Sequence, residues 1–298
     1  MSLTIPGFTE RRIDTGEAEI FARVGGAGPP LVCLHGFPQT HVAWRKVAPR
    51  LAERFTVVLP DLRGYGASSI PPSDPAHEAY SKRAMARDVA AVMRALGHER
   101  FFLAGHDRGG RVAYRLALDA PERVIALATL DIIPTLETYE SMDYRAAYNA
   151  YHWFFLAQPE PLPEALIGAD PGRFLEIKIR AWLVNPEAME PAALDAYREA
   201  IVRPGVVHAM CEDYRAGYTY DCEADRADRE AGRRITAPLL AMWGAGPTRA
   251  RGSDWAAVWR AWATDVTEQP MACGHFLMEE LPQETAAAML SFFAKHAA

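Results

Sequence analysis

The stretch FFLAGHDRGGR, residues 101–111, runs from an apolar segment through Gly105-His106-Asp107-Arg108-Gly109 and into the helical pattern GRVAYRLALDAP. A glycine two positions either side of a central residue marks the tight turn that lifts a nucleophile off the end of a strand, and Asp107 occupies that central position. The glycines have a steric purpose: side chains there would collide with the turn and the neighbouring strand. Asp107 thus lies where a strand ends and a helix begins, and the backbone N–H groups and dipole of that helix keep a carboxylate ionised. An ionised carboxylate can displace a leaving group from carbon without help from a base.

Outward from this turn, further β-rich runs recur: EIFARV (19–24), PPLVCLHG (29–36), FTVVLPD (55–61), VIALATLD (124–131) and APLLAMWG (237–244). The segments LVCL, TVVL, FFLA and ALATL are apolar on both faces, as strands covered by helices on each side require. SKRAMARDVAAVMRALG (81–97) has apolar residues at helical spacing and a closing glycine, Gly97. This alternation predicts a mainly parallel α/β sheet flanked by helices. It stops after Asp131 and resumes near Arg234. Between them AAYNAYHWFFL, FLEIKIRAWL and AALDAYREAI read as helices, so the predicted organisation is a core over 1–134, an inserted helical cap over 135–229 and the remaining core over 230–298. The Pro-rich stretch IPPSDPAHEAY at 70–80 reads as surface loop.

Composition narrows the partners. The chain has 298 residues, enough at about 150 residues per domain for one large domain or a domain with an insertion. Half the residues are hydrophobic and the formal charge is −6, which disfavours nucleic acid or a polybasic membrane surface as the main partner. No apolar run approaches the roughly 20 residues of a membrane span. The opening residues carry no export-signal pattern, so the expected location is cytoplasmic. Cys33, Cys211, Cys222 and Cys273 are scattered and are expected to be free thiols, with no metal site.

If Asp107 attacks carbon it leaves an ester, and a base-activated water must break it. His275, in Cys273-Gly274-His275-Phe276, is the candidate base. A base of this kind needs an anion to fix its tautomer. Asp131, at the end of VIALATLD, is the first choice, and Asp254 is the reserve after MWGAGPTRARGSD. Backbone N–H groups of His35-Gly36-Phe37-Pro38 can turn toward the site, so those of Phe37 and Arg108 form a candidate oxyanion hole. Asp61-Leu62-Arg63-Gly64-Tyr65-Gly66 reads as a core-packing turn with an Asp–Arg interaction and no chemistry.

Arg108 and Arg111 are three apart on the first turn of the helix. Cations there oppose the macrodipole unless a carboxylate of protein or ligand compensates, so they point to an anionic substrate. In the inserted segment, His152, Trp153 and Tyr214 carry N–H and O–H groups able to donate to one small leaving anion.

Taken with HGFPQ (35–39), DLRGYG (61–66), LDIIPT (130–135), HWFFLAQPEPLPE (152–164), EDYRA (212–216) and CGHF (273–276), the motif GHDRGGR resembles the fluoroacetate (haloacetate) dehalogenases of the α/β-hydrolase superfamily. The resemblance spans nearly the whole chain. It implies an α/β-hydrolase fold, with Asp107 as nucleophile, His275 as base and Asp131 as its orienting acid. It further implies Arg108 and Arg111 on the substrate carboxylate, and His152, Trp153 and Tyr214 around the departing halide. No cofactor is implied; the expected partners are a small anionic haloacid and water, with a homodimer as candidate assembly. Cys273 departs from the Gly-Gly-His expected there. Two rival readings remain: an epoxide hydrolase using cap tyrosines Tyr151, Tyr214, Tyr218 and Tyr220, and a non-catalytic ligand sensor.

Overall fold

The apolar runs form the middle of a single eight-stranded sheet in the computed structural model, which describes residues 3–246 and 254–297. The strands are β1 (Phe8–Asp14), β2 (Glu19–Gly25), β3 (Pro30–Leu34), β4 (Thr56–Pro60), β5 (Phe101–His106), β6 (Val124–Leu130), β7 (Leu239–Gly244) and β8 (Val266–Met271). They lie in the order β1-β2-β4-β3-β5-β6-β7-β8. β2 is antiparallel to both of its neighbours, and the strands from β4 onward are parallel.

Because successive side chains of a strand point to opposite faces, the inner strands feed two cores. Val32, Leu34, Phe101 and Leu103 enter one, which the helices Lys82–Ala95 and Arg108–Asp119 cover. Leu31, Cys33, Phe102 and Ala104 enter the other, closed by Met289, Phe292 and Phe293 of the helix Pro282–Ala294. The predicted helix after Ser81 forms as Lys82–Ala95, with the Ser81 side chain accepting from Ala84 N–H and Gly97 at φ 86° just beyond its end. β1 and β8 are absent from the apolar runs of the sequence because they are edge strands. Their residues are mostly exposed, and β8 carries Pro270, which only an edge tolerates.

The chain leaves β3 toward β4 on one side and later returns to β5 on the other, so the strand order reverses between β3 and β5. Ligand sites of open α/β sheets sit outside the carboxyl ends of the strands at such a reversal. Here those ends carry His35-Gly36-Phe37 and Asp107. Between β6 and β7 the described residues form helices and no strand, from Thr135–Glu140 to Cys222–Glu230. They cover this sheet end: the Phe37 ring lies 6.2 Å from His152, 6.1 Å from Trp182 and 5.3 Å from Tyr214, centroid to centroid. No helix among the described residues is long and apolar enough to cross a membrane. All four cysteines are buried free thiols.

Two local expectations need correction. Within Asp61–Gly66, Asp61 binds the His41 N–H and ring while Arg63 pairs with Asp88 at 2.6 Å, because the helix Lys82–Ala95 brings a carboxylate to the guanidinium. The loop at 70–80 is also more than surface: His77 meets Glu212 at 2.8 Å and Ser73 meets His208 at 3.1 Å, tying it to the helix Val206–Ala216.

Candidate active site

Asp107 adopts φ 48°, ψ −119°, a strained conformation that its neighbours enforce. A Cβ on Gly105 would fall 2.3 Å from the Gly109 carbonyl oxygen, and one on Gly36 would fall 2.4 Å from the Asp107 Cβ. Although Asp107 occupies the N-cap position, its side chain makes no capping bond. Instead Oδ1 accepts from the Phe37 N–H at 2.8 Å, while Oδ2 lies 3.7 Å from His275 Nε2. Arg108 is the first residue of its helix, so its N–H has no intrahelical acceptor. Burial alone would push the Asp107 carboxyl up; the charges of His275, His106, Arg108 and Arg111 outweigh it and hold it below the ordinary carboxylate range.

On its other ring nitrogen, His275 Nδ1 meets Asp131 Oδ2 at 2.6 Å. Asp131 is itself fixed, its Oδ1 accepting from Gly244 N–H at 2.9 Å and its backbone held at φ 54°. Asp254 serves elsewhere, capping the helix Trp255–Trp262 through Ala257 N–H. The intervening residues 247–253 of the stretch MWGAGPTRARGSD lie outside the described residues. Burial lowers the His275 pKa, but the hydrogen bond and charge of Asp131, followed by the charges of Asp107 and Glu280, overcome this and the net displacement is upward. In the neutral ring with Nδ1–H directed at Asp131, Nε2 faces Asp107 and can take a proton.

Arg108 and Arg111 are both buried, yet their partners differ. Arg108 sends Nε and Nη2 to the Asp213 carboxylate at 3.1 and 2.6 Å, and Nη1 has no hydrogen-bond partner among the described residues. Among the described residues Arg111 donates only to neutral acceptors: Ile133 C=O at 2.9 Å, Thr135 Oγ1 at 3.3 Å and Thr138 Oγ1 at 3.4 Å. Its Nε is buried and unpartnered, and no ion pair to it occurs among the described residues. Burial and the like charge of Arg108 push the Arg111 guanidinium below its ordinary range. Trp153 lies under both, with the Arg111 Cζ 4.4 Å and the Arg108 Cζ 5.7 Å from the ring. A buried cation without a counter-ion is costly, so this arrangement suits an anionic ligand.

His152, Trp153 and Tyr214 converge here, with centroids 5.8 Å apart for His152 and Tyr214 and 6.0 Å for Trp153 and Tyr214. The Tyr214 hydroxyl is buried with no hydrogen-bond partner among the described residues; burial and the nearby Asp107 charge raise its pKa well above normal, so it remains a donor. His152 is held neutral by burial and by the positive groups Lys178, His275, Arg108 and Arg111. Of the other tyrosines, Tyr151 and Tyr218 are exposed, and Tyr220 is directed at Glu78 at 3.3 Å.

Several contributors carried no signal in the sequence. Trp182 accepts the His275 N–H on its carbonyl at 3.1 Å and packs its ring 5.2 Å from that imidazole and 4.9 Å from His152. Glu280 accepts from Gly274 N–H through one oxygen and from Val184 and Asn185 N–H through the other, joining the histidine loop to the covering helices. Tyr65, in a turn read as having no chemistry, donates to Asp213 at 2.7 Å. Residues 29–280 match the model of the α/β hydrolase fold family.

The chain belongs to the α/β-hydrolase family. Its similarity to a fluoroacetate dehalogenase of Burkholderia sp is 44% identity over 287 residues, covering 96% of this chain and 94% of that one. A soluble epoxide hydrolase of Corynebacterium sp. (strain C12) is 34% identical, over 90% of this chain and 91% of its own. Among solved structures, a Pseudomonas aeruginosa protein named a putative epoxide hydrolase, in a mutant form with bound MFA, superposes with a TM-score of 0.93 at 46% identity, over 99% of this chain and 98% of its own. The α/β-hydrolase relatives thus include a dehalogenase and epoxide hydrolases, and the polar groups of the site must separate the two.

Proposed function

We propose that this α/β hydrolase is a haloacetate dehalogenase, converting fluoroacetate or chloroacetate with water to glycolate, halide and a proton. The observation that carries this reading is the buried Arg111 guanidinium, which has no carboxylate partner among the described residues, next to the unpartnered Nη1 of Arg108. A neutral epoxide gains little from these cations, whereas a carboxylate satisfies both.

In the first step Asp107 Oδ2 attacks the halogen-bearing carbon; the carbon–halogen bond breaks and its electron pair leaves with the halide. His152, Trp153 and Tyr214 donate to that ion, which matters most for fluoride because its charge is compact. In the second step His275 Nε2 takes a proton from water as the water attacks the Asp107 carboxyl carbon. The Phe37 N–H, already on Oδ1 at 2.8 Å, and the Arg108 N–H receive the developing oxyanion. As the adduct collapses, His275 returns its proton to the departing glycolate oxygen; Asp107 is left as a carboxylic acid holding one water oxygen and loses the net proton to solvent. Residues 135–229 act as the cap that excludes bulk water from both steps.

The test is halide release from fluoroacetate and chloroacetate beside hydrolysis of styrene oxide. Haloacid turnover with little epoxide turnover is expected; the reverse would replace this reading by the epoxide hydrolase, with Tyr214 as the proton donor. Asp107→Asn is expected to abolish halide release while keeping the fold. His275→Asn is expected to stall as a carboxymethyl ester on Asp107, visible by mass spectrometry. That ester would also dismiss a ligand sensor, and an unmodified protein after long incubation would sink the two-step route.

A further inference from the structure

We propose that Asp213 is a specificity-determining positioning residue: it locks Arg108 in one orientation so that Nη1 alone remains for a substrate carboxylate. The proposal rests on the haloacid reading of the site. Asp213 is fully buried on the helix Val206–Ala216, and Arg108 reaches it from the helix Arg108–Asp119, 105 positions earlier in the chain. Three of its contacts come from this one side chain: Nε on Oδ2 at 3.1 Å, Nη2 on Oδ1 at 2.6 Å and Nη2 on the Asp213 backbone carbonyl at 2.6 Å. A planar guanidinium gripped at two nitrogens cannot rotate, so the direction of its third nitrogen is set.

The carboxylate is in turn over-determined. Lys82 Nζ donates to Oδ1, and the Tyr65 hydroxyl donates to Oδ2 at 2.7 Å. Lys82 also donates its backbone N–H to Asp221 Oδ1 at 2.8 Å, with its Nζ 3.4 Å from Asp221 Oδ2. Two cations, Arg108 and Lys82, and two anions, Asp213 and Asp221, therefore share one buried cluster of zero formal charge. Arg108 enters the site as an oriented hydrogen-bond donor, and Arg111 supplies the uncompensated charge. The following helix turn leaves space for this: a Cβ on Gly217 would stand 2.9 Å from Arg108 Nη2. Asp213 directly precedes Tyr214, so the same helix turn sets both the carboxylate-binding arginine and a halide donor.

The experiment compares chloroacetate with neutral chloroacetamide in the native protein, Asp213→Asn and Tyr65→Phe. Asp213→Asn is expected to raise KM for chloroacetate about ten- to a hundredfold, the worth of a charge-assisted hydrogen bond, with kcat changed far less. Chloroacetamide should lose little, so the preference for acid over amide collapses. Tyr65→Phe removes one hydrogen bond from Asp213 and leaves every charge; it is expected to shift the same preference about two- to tenfold, and it decides the matter if the asparagine variant does not fold. Equal losses on both substrates, or an unchanged preference, would overturn the proposal, because a merely structural residue affects both alike. Acetate binding measured by calorimetry is the second arm. If the native protein binds acetate but releases no halide, the haloacid reading fails, while weaker acetate binding by Tyr65→Phe still upholds the role of Asp213 and unchanged binding overturns it. A native protein that neither turns over haloacid nor binds acetate overturns both.

Discussion

In the resting site the His275 imidazole lies between two carboxylates, with Asp131 at 2.6 Å and Asp107 at 3.7 Å. Both favour its charged form, yet the proposed second step needs it neutral. The ester intermediate resolves this, since esterified Asp107 carries no charge and its share of the upward displacement disappears when the base is needed. Two outcomes follow from the sign of that effect. The His275 pKa, read by NMR titration, is expected to be lower in Asp107→Asn than in the native protein; an unchanged value would mean that Asp107 is not felt at the imidazole. Turnover limited by ester hydrolysis is expected to fall as pH drops through the His275 pKa, since protonation removes the base. Asp107, His275 and Asp131 were legible in the sequence because each ends a strand or follows one on a short glycine-marked loop. Asp213, Trp182 and Glu280 were not, because their contacts join residues about a hundred positions apart that no local pattern links.

At the scale of elements, the helix Arg108–Asp119 carries Arg108, Arg111 and Arg115 on one face at spacings of three and four. Facing it, the run from Val206–Ala216 through the π-helical turn Gly217–Asp221 to Cys222–Glu230 presents Asp213, Asp225 and Asp228. Asp213 takes Arg108, Asp225 and Asp228 take Arg115, and the middle arginine is left over. The helical pattern of GRVAYRLALDAP was legible, but the matching of its charged face to the run 206–230 needed the π-turn, whose extra residue no propensity rule signals. Gly217 sits at φ −59°, where alanine is at home, so its function lies in the space it leaves beside Arg108. Gly217→Ala is therefore expected to push the gripped Arg108 aside, lowering Tm because the strained Arg108–Asp213 contacts outweigh what alanine gains by restricting the unfolded chain, and to raise KM for haloacetate about two- to tenfold. An unaltered KM would show that Arg108 can move without loss, against the locked geometry.

Across the whole molecule, the covering helices are fastened to the sheet domain on two sides. On one side Glu190 binds Arg45 at 3.1 Å and Glu280 holds the Val184 turn; on the other the Arg115 cluster binds Asp225 and Asp228. Arg115 is buried, and so is Asp225, whose carboxyl is pushed up by burial more strongly than Arg115 and its hydrogen bonds pull it down. Arg115→Met removes the cation and leaves that carboxylate in a dry site, at a cost on the order of 3–5 kcal/mol. Asp228 retains Arg233 at 2.7 Å, so the deficit falls mainly on Asp225. With its folded-state pKa raised further, Asp225 in the variant takes up a proton on folding, and stability then decreases as pH rises through the interval between its unfolded and folded values. Urea unfolding of native and variant proteins should thus give a large difference at neutral pH that narrows on mild acidification, as protonated Asp225 no longer needs a counter-ion. A difference independent of pH would place the loss in packing of the Arg115 stem, and Asp225 would not be the charge that Arg115 neutralises.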